Sequence, residues 1–195
     1  YLWSAFQYLS STFEQIETHA SVAGPVPNPS QHMTLLESEP AAFLILAAHA
    51  ASTLIMVGVI WTCQLVHYPL FLRIPPEAFD AYERAHMRRI SVIVGPAMAV
   101  EFATAAILVF DPPPGVPVGL INLGAALVAI NIASTALLQG PAHRRLAAGG
   151  FDARRIGALV TTNWLRTGVW TLRGVLAVAM IGLADARTAA GMGLP

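Results

Sequence analysis

Four apolar runs divide the chain, at residues 41–61, 90–110, 118–138 and 156–183. Each is near or above the ~20 helical residues needed to cross a hydrocarbon core of ~30 Å. Strong breakers separate them. Arg73 and Pro75-Pro76 close the first run, which continues as a helix to about His67 or Leu72. Asp111, three prolines and Gly115 stop the second, and Gly140-Pro141 ends the third. The pattern predicts an all-α fold: an antiparallel four-helix transmembrane bundle with spans near 42–70, 90–110, 118–139 and 156–184. Between spans one and two, residues 77–89 keep helical spacing. Phe79, Tyr82, Ala85 and His86 lie on one side and charges on the other. This predicts a short interfacial helix there. Pro96, in the first turns of span two, is placed to kink it.

The first forty residues follow a different pattern. Leu2, Phe6, Leu9, Phe13 and Ile16 recur at helical spacing, then Gly24-Pro25-Val26-Pro27-Asn28-Pro29 forbids a continuing helix. The chain therefore divides into an N-terminal extension with a proline-rich linker (1–40), a membrane domain (41–185) and a C-terminal tail (186–195). No basic segment, short apolar stretch and cleavage site begin the sequence, so the first span is expected to act as an uncleaved insertion signal.

Composition strengthens the membrane reading. The chain is 55% hydrophobic and 11% charged, against about 25% charged in soluble domains, and its mean hydropathy is +0.60. Its formal net charge of zero gives nucleic-acid binding no support. The single Cys63 excludes an intrachain disulfide and a CxxC pair. HExxH, P-loop and GxSxG motifs are absent. Charge is unevenly placed: every basic residue is arginine, and eight arginines fall within 73–89 and 144–155. The positive-inside rule puts those loops in the cytoplasm of a multi-pass protein, with both termini outside.

Inside a bilayer each polar side chain needs a partner or an interior position. Span one offers His49, Thr53, Gln64 and His67; span two, Glu101 and Thr104; span three, Asn131, Thr135 and Gln139; span four, Asn163, Arg166, Thr167, Trp170 and Arg173. Counted from Ile90 and Ile156 at ~1.5 Å per residue, Glu101 and Arg166 share one depth. They are expected to face each other, either as an ion pair that fixes helix register or as part of a site. His49 reads as a hydrogen-bonded core histidine. Trp61 and Trp164 sit near expected interfaces, where such residues anchor. The candidate ligand-binding residues are Gln64, His67, His86, Glu101, Asn131, Gln139, Asn163 and Arg166. His67, His86 and His143 converge on the arginine-rich edge, where imidazoles hold a divalent metal at about 2.0–2.1 Å. With Arg88, Arg89 and Arg144 they equally suit an anionic or quinone head group, and as headgroup-level loop histidines they need no ligand. Spans one and three share an ending, Gln-x-x-His at Gln64/His67 and Gln-x-x-x-His at Gln139/His143, each near a proline. This suggests two helical hairpins delivering like groups to one edge.

Gln64-Leu65-Val66-His67-Tyr68-Pro69-Leu70-Phe71, Gly95-Pro96-Ala97-Met98 with Glu101, and Asn163-Trp164-Leu165-Arg166-Thr167 resemble a family of small bacterial integral membrane proteins of unknown function. The resemblance covers roughly residues 42–184. It implies a four-span bundle with a polar cluster at the cytoplasmic side, and no established activity. Three functions remain: a membrane-embedded binding or redox protein for a metal or small polar or quinone-like ligand, a structural or accessory subunit, and a small proton-coupled transporter. The bilayer is the expected partner, together with a second copy or a membrane complex.

Overall fold

The computed structural model describes Leu36 and residues 38–191. The N-terminal extension and the end of the tail lie outside the described residues, as do the expectations that fall on them. Four long helices follow, each long and apolar enough to cross a membrane: α1 (Glu39–Arg73), α2 (Pro76–Phe110), α3 (Val118–Gly149) and α4 (Ala153–Arg187), with α4 continuing helical to Gly191. No strand occurs among the described residues. Helix α1 packs against α2 and α4, and α3 against the same two. This is an up-down-up-down, four-sided bundle.

The helix ends follow from local chemistry. Pro40 occupies the first turn of α1, where its missing N–H costs nothing. Ile74 is extended, as a residue before proline must be, and ends α1. Gly150 closes α3 at φ 74°. Asp152 then starts α4, its Oδ1 accepting the N–H groups of Arg154 (2.9 Å) and Arg155 (3.1 Å). At the opposite end, Gly115 turns the α2–α3 loop at φ 91°. A Cβ there would come within 2.9 Å of Arg187 Cβ, so only glycine lets α4 approach. Asp111 Oδ2 in that loop accepts the Leu36 N–H at 2.9 Å, tying down the segment before α1.

The boundaries differ from the sequence reading in three places. Residues 77–89 are helical, but they form the first turns of α2. Phe79–Phe110 is one unbroken helix with Pro96 inside it, so this segment is not a separate interfacial helix. The third span does not end at Gly140-Pro141 but continues to Gly149. The fourth begins at Ala153, a turn earlier than expected.

The continuity of α1 and α3 has a common cause. Pro69 and Pro141 cannot donate to the carbonyls of Leu65 and Leu137. In each helix the turn just before the proline widens into a five-residue π segment, Cys63–His67 and Thr135–Gln139. The Tyr68 N–H bonds to Cys63 O and the Gly140 N–H to Thr135 O, the longer reach of a π-bulge. Each bulge buries a glutamine, Gln64 or Gln139, and leaves Leu65, Val66, Leu137 and Leu138 outward. The two π segments are 72 residues apart (135 less 63). The same spacing relates Pro69 to Pro141, Phe79 to Phe151 and Glu101 to Arg173.

Burial is inverted relative to a soluble protein. Phe110 is 82% and Val92 73% exposed, whereas Glu101 is 2% and Arg173 1% exposed. A bilayer is the solvent in which that arrangement is favourable. At ~1.5 Å per residue the 35-residue helices reach about 52 Å, well beyond the hydrocarbon core. Their arginine-bearing ends therefore project out of it.

Candidate functional site

Three polar layers cross the bundle. The innermost is built on Arg173 of α4, which touches all three other helices. Its Nε donates to Glu101 Oε1 on α2 at 2.8 Å. Nη1 donates to the Gly124 carbonyl on α3, and Nη2 donates to His49 Nε2 on α1 at 3.3 Å. Because a guanidinium only donates, His49 accepts at Nε2 and carries its proton on Nδ1, 2.8 Å from Thr104 Oγ1. Thr53 (2.9 Å) and Trp170 (3.1 Å) donate to the two Glu101 oxygens. The carboxylate is thus fully engaged.

This corrects the expected pairing: Glu101 pairs with Arg173, not Arg166. The depth count failed because the helices begin outside the apolar runs by unequal amounts. Measured from Pro76 and Ala153, Glu101, Arg173 and Arg166 lie roughly 38, 30 and 20 Å along their helices. Arg173, two turns beyond Arg166, is the residue near Glu101's level.

The middle layer joins α1 to α4. Gln64 Oε1 accepts from Asn163 Nδ2 at 2.9 Å and from Thr167 at 3.3 Å. Its amide donates to Val160 O. Arg166 donates to Asn163 Oδ1 at 3.3 Å and lies 4.9 Å from the Trp170 ring centroid, a cation–π distance. Gln139 donates to Thr162 Oγ1 at 3.0 Å. Asn131 is buried with neither end of its amide partnered.

The outer layer lies at the arginine-rich end. His67 Nε2 and His86 Nδ1 are 2.8 Å apart. The His86 and His143 ring centroids are separated by 5.4 Å. His143 Nδ1 donates to Glu83 Oε1 at 2.5 Å, and its Nε2 lies 3.2 Å from the Tyr68 hydroxyl. The three imidazoles do meet, His67 hydrogen-bonded to His86 and His86 packed against the ring of His143, whose own hydrogen bonds go to Glu83 and Tyr68. Among the described residues no group of three or more His, Cys, Asp or Glu is placed to hold a metal. A metal at this edge would have to break the His67–His86 and His143–Glu83 hydrogen bonds.

Sequence reasoning missed Glu83 and Tyr68 as members of these layers, and placed Arg173 on the polar face of span four without pairing it to Glu101. Glu83 was legible: with Phe79 and His86 it follows i, i+4, i+7, so it shares their buried face. Trp61, expected near an interface, donates to Thr171 Oγ1 at 3.0 Å and meets Trp164 edge-on at 5.8 Å.

Between α1 and α2 a cleft of about 690 Å³ opens beside the outer layer. His67, His86, Tyr82 and Arg89 line its polar end, and Ile55, Val59, Ile90 and Ile93 its apolar end. Gly58 also lines it, and a Cβ there would meet nothing within 4 Å. Cys63, in the π segment, forms part of its wall. No family model, curated protein or solved structure matches this chain.

Proposed function

We propose that this is a multi-pass membrane protein of the bacterial inner membrane, with its arginine-rich end in the cytoplasm. In this reading it binds a lipid-soluble molecule with a polar head and an apolar body, of quinone-like shape, in the cleft between α1 and α2. The cleft carries the reading. Its volume falls in the ~300–1,000 Å³ range of small-molecule sites. Its polar and apolar ends are ordered as an amphiphile entering from the bilayer requires. The imidazole pair His67–His86 offers one donor and one acceptor to a carbonyl or hydroxyl head, and Arg89 adds a cation beside it. The apolar end begins at Ile90, where the charged turns of α2 give way to hydrocarbon-facing sequence.

Binding of a short-tailed benzoquinone to nanodisc-reconstituted protein tests the proposal, read as saturable quenching of tryptophan fluorescence. His86→Ala and Arg89→Ala should weaken binding roughly tenfold or more, the loss of one good polar contact. Ile93→Trp should block it by filling the apolar end. Quenching that stays linear and is unchanged by all three substitutions would remove the reading. The Arg173 layer favours a structural role for Glu101, Arg173 and His49, because every strong contact there joins helix to helix.

A further inference from the structure

We propose that Arg166 holds a small monovalent anion in the interior of the bundle. The side chain is 6% exposed and sits well inside α4. A guanidinium keeps its charge, and a buried charge calls for an opposite one. The ion pairs among the described residues are Arg84–Asp80, His143–Glu83, Arg155–Asp152 and Arg173–Glu101, and none includes Arg166. Of the two buried acids among the described residues, Glu101 already receives Arg173, Thr53 and Trp170, and Glu83 pairs with His143.

What surrounds Arg166 is neutral: the Asn163 amide oxygen, the Trp170 ring, and the Tyr68 hydroxyl and Cys63 thiol. Its Nε–H has no acceptor. On α3, which packs along α4, Asn131 and Ser134 also bury polar atoms without partners. Water would satisfy such donors but leave the positive charge unbalanced. A halide, nitrate or small carboxylate satisfies both. The site does not depend on what fills the cleft, although Cys63 lies both in the cleft wall and beside Arg166.

The test uses the full chain purified in detergent in gluconate, with chloride, bromide, nitrate or acetate exchanged in at constant ionic strength. At least one of these anions should raise the thermal unfolding midpoint saturably. Arg166→Gln should abolish that dependence, and the exposed Arg154→Gln should keep it. A halide response without an acetate response identifies an inorganic ion, and the reverse a carboxylate. Should Arg166→Gln not accumulate, broadening of the chloride NMR line by wild-type protein, reversed by nitrate, decides for the site. A midpoint that follows none of the four anions, or follows them equally in Arg166→Gln, overturns it.

Discussion

At the scale of single residues, Arg173 is the most constrained side chain described, since it donates to a carboxylate, a carbonyl and an imidazole on three different helices. Breaking a buried pair by removing one charge costs about 3–5 kcal/mol, because the other is left uncompensated. Glu101→Gln should therefore lower detergent stability by an amount of that order. Adding Arg173→Gln should recover part of the loss, whereas adding Arg166→Gln should not. Equal rescue by both arginine substitutions, in thermal unfolding of the wild type and the three variants, would show that Glu101 does not choose between them. That Glu101, His49 and Asn131 turn inward could be read from the sequence, because a polar group facing lipid is costly. Which arginine met Glu101 could not. Two candidates seven residues apart share a helix face, and the choice rests on how far each helix overshoots the hydrocarbon.

At the scale of elements, the spans were legible because run length and proline punctuation act locally, whereas their ends depend on how the chain absorbs a proline. Gly140-Pro141 reads as a stop, yet α3 passes through it by widening to a π turn. The same device at Cys63–His67 sets Gln64 in the core and His67 in the cleft. A π-bulge is in effect one extra residue in an α-helix. Deleting the outward-facing Leu65 should convert the segment to regular helix without disturbing the apolar faces on either side. Far-ultraviolet circular dichroism should then change little. Gln64 and His67 would lie two positions apart instead of three, so both could not keep their places, and benzoquinone binding should be lost. Binding that survived the deletion would mean the bulge does not shape the cleft.

At the scale of the whole molecule, the two ends carry different charge. The α1–α2 and α3–α4 turns and their flanks hold eight arginines, while the other end carries Glu39, Asp111 and Asp185 with Arg187. The positive-inside rule then predicts the orientation. In a Cys63→Ala background, Asp80→Cys and Gly150→Cys should resist an impermeant thiol reagent in intact cells, and Pro113→Cys should react. The reverse pattern would invert the protein in the membrane.

The spacing of 72 residues that relates the two π segments also relates Glu101 to Arg173. The chain thus resembles two copies of one hairpin, with opposite charges standing at corresponding places. Two first hairpins docked in this way would set glutamate against glutamate, and two second hairpins arginine against arginine. Each half repels its own kind and accepts the other. Cut between Pro112 and Pro114 and co-expressed as separate polypeptides, the halves should copurify as a mixed pair. Either reversal alone, Glu101→Arg in the first half or Arg173→Glu in the second, sets like charges together and should abolish the mixed pair, and the two reversals combined should restore it.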